Sequence, residues 1–351
     1  MRSIFHKEAV EALLRWYRQN KRDLPWRADK EPYHVWLSEI MLQQTRVEAV
    51  KPYYARFLET CPTVESLAAL PEDKLMKLWE GLGYYSRARN LQKAAKTVTE
   101  QYGGKFPQAY EDLRALSGVG DYTAGAIASI AYDIPVPAVD GNVLRVLARL
   151  LGSFEDIALP ATKRSWSEKL SEVIPKDAGD FNQALIELGA TVCVPNGEAK
   201  CESCPLCEIC RAKQEGLTDS IPVKSAKKPR RIEKRTVLLI RDSNRTVIGK
   251  RPQKGLLAGL FELPNPEGHL TERKVAEYVR SLGLEPIRIE RIEDSKHIFT
   301  HIEWHMIAYE VTVTAEFDGF RADGEMMLVD NATLREQYAI PSAFAAYKKK
   351  L

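Results

Sequence analysis

Along this chain the apolar residues change their period once, across a basic stretch near residue 230, and that change limits what each half can fold into. Before it they recur every three or four positions. Val10, Leu13, Leu14 and Tyr17 do so within 9–19, and Ile40, Val47, Val50, Tyr54, Phe57 and Leu58 within 35–58. Such spacing puts side chains on one helical face. Pro52 inside the second stripe predicts two helices or one broken helix. Further helices are expected over 72–80, 86–102, 109–116, 122–132, 143–151, 163–173 and 184–191. After it, 236–241, 246–251 and 307–314 are β-branched or alternating and read as strands, with one helix over 272–282. The chain is therefore expected to be multidomain: an all-α region over 1–217, a basic linker over 218–235 and an α+β domain over 236–351.

Composition agrees with that division. A length of 351 residues predicts two domains at about 150 residues each. A hydrophobic share of 44% with 28% charged residues excludes a mainly disordered chain. No apolar run approaches the ~18 residues that cross a bilayer, and the first residues lack a signal-peptide core. No membrane association and a cytoplasmic location are expected. The net charge of +3 conceals a concentration in Lys224, Lys227, Lys228, Arg230, Arg231, Lys234 and Arg235, relieved within that stretch only by Glu233. With Pro222 and Pro229 punctuating it, this segment reads as an exposed tether able to meet phosphates if its flanking domains bind nucleic acid.

Five of the six cysteines fall between Cys193 and Cys210; the sixth is Cys61. In a cytoplasmic chain such clustering points to metal rather than disulfides. Four thiolates from Cys193, Cys201, Cys204, Cys207 and Cys210 could hold zinc or a [4Fe–4S] cluster, and spacing alone does not choose.

Between two helical segments lies Leu116-Ser117-Gly118-Val119-Gly120-Asp121-Tyr122-Thr123-Ala124-Gly125. Two glycines around one apolar residue make a turn with unobstructed amides, and the helix that follows adds its positive end. Gly118, Val119 and Gly120 could therefore grip a DNA phosphate without a lysine or arginine. With Ala138-Val139-Asp140-Gly141-Asn142-Val143 some twenty residues on, the hairpin resembles the helix-hairpin-helix DNA glycosylases, and the cysteine cluster resembles their iron–sulfur subset. Leu24-Pro25-Trp26-Arg27, Ser38-Glu39, Gln43-Gln44-Thr45, and Trp79 through Leu82, Tyr84 and Arg87 narrow the likeness to the MutY-type adenine DNA glycosylases.

Removing a purine requires a proton on the departing base and negative charge beside an oxocarbenium-like sugar. Glu39, with Val35, Trp36 and Leu42 as helical neighbours, sits in an apolar setting that raises a carboxyl pKa, and the resemblance assigns it adenine protonation. Asp140 reads as a helix N-cap. The resemblance implies that it stabilises the cationic sugar, a transient covalent adduct being one route, with Asn142 orienting the pair. Tyr122 stands where strand-cutting relatives carry a nucleophilic lysine, so a monofunctional glycosylase is expected. The resemblance further gives Gln44 and Tyr84, with Leu82 beside them, as groups entering the duplex, and Trp26, Arg27 and Gln183 as the base pocket. It implies a [4Fe–4S] cluster on Cys193, Cys201, Cys204 and Cys210. The implied substrate is double-stranded DNA with adenine opposite 8-oxoguanine or guanine, bound by a nucleoid-associated monomer.

Two departures accompany the likeness. The first cysteine gap holds one residue more than the family's six, which leaves Cys207 as a surplus thiol. In the second domain Phe299-Thr300-His301 resembles the family's Phe-Ser-His loop that senses 8-oxoguanine, with Thr300 in place of serine. His297, His301 and His305 share a four-residue spacing that would align them on a strand as an alternative metal site. The stretch 255–264 resembles part of a Nudix fold, but the acidic Mg²⁺-binding run of Nudix hydrolases is missing, so a base-reading role is expected. The competing readings are a glycosylase/lyase for oxidised pyrimidines, a non-catalytic iron–sulfur DNA-binding protein and a Nudix hydrolase.

Overall fold

The computed structural model describes residues 5–226, 229–314 and 326–351. Lys227 and Lys228 of the expected tether lie outside the described residues. The chain forms two compact units, Met1–Ala69 with Arg89–Ala226, and Leu70–Ala88 with Lys227–Leu351.

The first unit is helical among the described residues. Its helices are α1 (Lys7–Asn20), α2 (Pro32–Leu42), α3 (Val47–Thr60) and α4 (Val64–Ala69). After α5 (Glu72–Leu78), which belongs to the second unit, come α6 (Ser86–Tyr102), α7 (Tyr110–Ala115), α8 (Asp121–Tyr132), α9 (Gly141–Leu151), α10 (Pro160–Ser171), α11 (Ala178–Thr191) and the single turn α12 (Arg211–Gln214). In α8 every residue from Thr123 to Ile130 is buried, so it serves as the central helix that its neighbours surround. Helices α1, α9, α10 and α11 share one core with Leu13, Tyr17, Leu147, Trp166 and Phe181 at its heart, and the cysteine loop closes over it.

The break expected at Pro52 lies elsewhere. Pro52 sits inside α3, and the chain turns between α2 and α3 at Gln44, whose φ of 58° is left-handed. The turn thus falls in the loop that presents Gln44.

In the second unit six strands form a mixed sheet in the order β3-β2-β1-β5-β4, with β6 also on β2. They are β1 (Arg231–Arg241), β2 (Arg245–Lys250), β3 (Phe261–Glu262), β4 (Pro286–Ile298), β5 (Ile302–Val313) and β6 (Met326–Asp330). The alternation of β1 divides its side chains: Val237 and Leu239 pack with Trp304, Phe344 and Tyr347 on one face, Leu238 and Ile240 with Val275 and Val279 on the other. Helices α14 (Asn331–Gln337) and α15 (Ala345–Lys348) supply the first face, and α13 (Glu272–Ser281) the second.

Three expectations are corrected here. Strand β1 starts at Arg231, so Arg231, Lys234 and Arg235 are sheet residues paired in parallel with β5. Residues 70–88 leave the helical region and join the C-terminal unit. There Lys77 Nζ donates to the Tyr338 carbonyl at 3.1 Å, Glu80 accepts from the Ile340 amide at 3.0 Å, and Lys348 pairs with Glu80. The three histidines do not align: His297 is on β4, His301 in the turn and His305 on β5, where His305 faces Lys296 across the pair.

Candidate active site

Each carboxylate at the centre of the first unit is placed by a local rule of chain folding. The run entering α9 is pinned from α11: buried Asn182 accepts from the Ala138 amide at 3.1 Å and donates to the Val136 carbonyl at 2.8 Å. Asp140 then caps α9, its Oδ1 accepting from the amides of Asn142 at 2.9 Å and Val143 at 2.8 Å. Asn142 Nδ2 donates to Asp140 Oδ2 at 2.7 Å. The close approach of α11 fixes Asn142 in turn, since a Cβ on Gly189 would lie 2.6 Å from the Asn142 Cβ. Arg145 extends the chain of contacts, reaching Asn142 Oδ1 at 2.9 Å, the Gly189 carbonyl at 2.7 Å and the Cys193 carbonyl at 2.7 Å.

Glu39 projects from α2 between buried Val35 and Trp36, with only 9% of its surface exposed. Burial pushes its carboxyl from an ordinary 4.5 up to about 7, and the nearby Asp140 charge adds to the rise. Tyr122, in the first turn of α8, opposes it by donating to Glu39 Oε2 at 2.7 Å, and Arg27 opposes it through its charge. Burial also raises Asp140 above its ordinary value. Donors from Val143 and Asn142 and the Arg145 charge work against that rise. The two carboxyls therefore differ in kind: one is held mainly by apolar contact, the other by hydrogen bonds to its charged form.

Both open into one cavity of about 480 Å³, within the ~300–1,000 Å³ usual for small-ligand sites. Trp26, Arg27, Glu39, Gln44, Tyr122, Asp140, Asn142 and Gln183 all line it. The sequence thus named eight residues that the fold gathers around one space. Trp26 is set by an edge-on contact with Tyr54 at 5.5 Å. Among the described residues the cavity lining contains no lysine.

Sequence reasoning passed over Arg22 and Glu187. Glu187 of α11 is wholly buried and binds Arg22 at 2.7 and 2.9 Å and Arg27 at 2.8 Å. Burial alone would raise its carboxyl, but the two guanidiniums outweigh that and hold it at about 2. A lone acid in an apolar stretch of α11 was the available signal, as were Arg145 and Arg149, two cations four residues apart in an otherwise apolar α9.

The hairpin joins α7 to α8. Gly118 takes a φ of 77°, in the left-handed region open to glycine. Val119 is buried and anchors the turn, while Gly118 and Gly120 are exposed, as amides meant for a phosphate would have to be. In the second unit Tyr84 is 46% exposed with a left-handed φ of 48°, whereas Leu82 is buried. Thr300 Oγ1 lies 3.4 Å from the Tyr84 hydroxyl, Phe299 packs edge-on against Trp304, and Thr300 and His301 are exposed.

Cys193, Cys201, Cys204, Cys207 and Cys210 line one small cavity with Arg149. Arg149 donates to Cys193 Sγ at 3.3 Å, a contact suited to a thiolate. Cys207 Sγ instead contacts Glu208 Oε1 at 3.5 Å. Five soft sulfur donors around one space match the donor chemistry of an iron–sulfur cluster. Among the described residues no three His, Cys, Asp or Glu side chains are arranged to share a single metal ion.

A helical unit carrying a glycine hairpin and a carboxylate-lined cavity, joined to a Nudix-like sheet, defines a class: the helix-hairpin-helix base-excision glycosylases with an added C-terminal domain. Residues 37–176 match the family described as HhH-GPD superfamily base excision DNA repair protein, and 236–350 match the NUDIX domain. The adenine DNA glycosylase of Mus musculus is 37% identical over 85% of this chain and 69% of its own length. That of Buchnera aphidicola subsp. Schizaphis graminum is 35% identical over 87% of each. A solved endonuclease III–DNA complex superimposes with a TM-score of 0.51 at 25% identity, covering 61% of this chain and 99% of that one. The chain belongs to the MutY-type adenine DNA glycosylase family and is a base-excision repair DNA N-glycosylase.

Proposed function

We propose that this chain excises adenine from duplex DNA in which it faces 8-oxoguanine or guanine, and leaves the strand intact. The observation that carries the reading is the single cavity shared by Glu39 and Asp140, two carboxyls both raised by burial, of which Glu39 has one hydrogen-bond donor opposing the rise and Asp140 three. Raised to about 7, Glu39 still carries its proton in a large share of molecules near neutral pH and delivers it to the departing adenine, at N7 by family resemblance. Asp140, fixed by three donors, offers negative charge to the developing oxocarbenium ion. Asn142 holds that carboxylate and Tyr122 orients Glu39. With Tyr122 and no lysine in the lining, no amine is at hand for a Schiff base, in keeping with monofunctional chemistry.

Adenine must leave the stack before it can enter the cavity. Gln44 and Tyr84, exposed on left-handed turns, are the groups assigned to enter the duplex, and Trp26, Arg27 and Gln183 receive the base. Leu82 supports the Tyr84 turn from its buried position. Gly118, Val119 and Gly120 hold backbone phosphate. Phe299, Thr300 and His301 read the opposite base. Cys193, Cys201, Cys204 and Cys210 hold one [4Fe–4S] cluster, which when bound ties the cysteine loop to α9 and supplies no chemical step. The protein acts as a monomer on nucleoid DNA in the cytoplasm.

The test is base release from duplexes carrying adenine opposite 8-oxoguanine, guanine, cytosine or thymine, with and without alkali. Excision confined to the first two, with strand cutting only after alkali, is expected. Excision of an oxidised pyrimidine, or cutting without alkali, would overturn the proposal.

A further inference from the structure

The surplus thiol extends the cluster reading and rests on it. Cys201, Cys204, Cys207 and Cys210 occur at a strict three-residue interval, and the backbone repeats one turn at each step. The Cys204 amide donates to the Cys201 carbonyl at 3.1 Å, Cys207 to Cys204 at 3.2 Å, and Cys210 to Cys207 at 3.2 Å. Cys201 and Cys207 each open a 3₁₀ turn, Cys201–Ser203 and Cys207–Ile209, and each turn delivers the next cysteine, Cys204 and Cys210, in extended conformation. The run Cys201-x2-Cys204-x2-Cys207 also has the spacing that lets three thiolates of bacterial ferredoxins bind one [4Fe–4S] cluster. All five cysteines line the same cavity. The partner of its sulfur sets Cys207 apart from Cys193: it rests against the Glu208 carboxylate, whereas that of Cys193 receives the Arg149 guanidinium.

We propose that Cys207 is a reserve cluster ligand, able to take the place of Cys210 without refolding of the loop. In the ordinary protein Cys193, Cys201, Cys204 and Cys210 bind and Cys207 stays a free thiol beside Glu208. When Cys210 is lost, the Cys207 sulfur forms the bond to iron that Cys210 gave up, and its proton leaves to solvent. No oxidant or reductant is consumed. The ligand set then becomes Cys193 with the evenly spaced run of three.

The test compares the full chain with Cys207→Ser, Cys210→Ser and the double variant, all purified without oxygen. Iron and acid-labile sulfide per chain, visible charge-transfer absorption and thermal unfolding are measured on each. Cys207→Ser should match the parent. Cys210→Ser should retain most of its iron with an altered spectrum, and the double variant should hold about tenfold less. Alkylation mapped by mass spectrometry gives a second reading: Cys207 should be modified in the parent holoprotein and protected in Cys210→Ser. A Cys210→Ser protein as poor in iron as the double variant, or a Cys207 still reactive in it, overturns the proposal. So does a Cys207 already protected in the parent. A parent purified and reconstituted with no iron would instead remove the cluster reading itself.

Discussion

The Tyr122 hydroxyl donates to Glu39 Oε2 across 2.7 Å, and this bond pulls the buried acid back towards its ordinary pKa, as the Arg27 charge also does. Tyr122→Phe therefore raises the Glu39 pKa. The alkaline limb of the single-turnover pH profile should move up by about one to two units, since a hydrogen bond to a charged group is worth about 1.5–3 kcal/mol. A limb that moves down would refute the assigned polarity of this contact.

Glu39→Gln should retain duplex binding and lose about 10²–10⁴-fold in excision rate, the usual contribution of a positioned acid. Stability should change with a defined sign. The Glu39 carboxyl is about 7 in the fold against an ordinary 4.5, so between those values the unfolded chain ionises while the folded one stays protonated, and stability falls as pH rises. The amide variant avoids that loss. Its unfolding free energy should exceed the parent's by up to about 3 kcal/mol above neutrality and show little gain below pH 4.5. Denaturant titrations at the two pH extremes decide the point.

Glu187 shifts in the opposite direction, so its pH window is reversed. Its stabilising effect is complete above an ordinary 4.5 and disappears as pH falls towards about 2. Glu187→Gln strands Arg22 and Arg27 and should cost about 3–5 kcal/mol at neutral pH, with acid sensitivity reduced between those values. Equal acid sensitivity in variant and parent would place the titration on another group.

Gly189→Ala puts a methyl group 2.6 Å from the Asn142 Cβ. Relief requires α9 or α11 to shift, at about 1–3 kcal/mol, and the Asp140 carboxylate moves with Asn142. A lowered melting temperature together with a slower excision step is expected. A variant with the parent's rate would show that Asn142 placement is not tightly coupled to chemistry.

Thr300 tests the proposed reading loop and its proposed preference for 8-oxoguanine. Thr300→Ser keeps the hydroxyl that lies 3.4 Å from Tyr84 and should preserve the preference for adenine opposite 8-oxoguanine over guanine. Thr300→Val removes it and should narrow that preference by about tenfold, as loss of one specific hydrogen bond does. Excision assays on the two duplexes measure it.

Local pattern alone determined much of this protein. The change of apolar period separated helical from sheet-forming sequence, a capping aspartate before an apolar run located Asp140, and cysteine spacing marked the five-thiol loop. Those signals are legible because each depends on residues a few positions apart. The tertiary structure decided what depends on residues far apart in sequence. Residues 70–88 joined the C-terminal unit through Glu80 and Lys77, and the basic tether gave up Arg231 to Arg235 to a strand paired with β5. Glu187 became the clamp on Arg22 and Arg27 only because α11 carries it to the chain leading into α2, some 160 residues distant in sequence. The proton on Glu39 has the same origin: the sequence supplies a carboxyl, and desolvation by the packed helices around it sets the pH at which that carboxyl ionises.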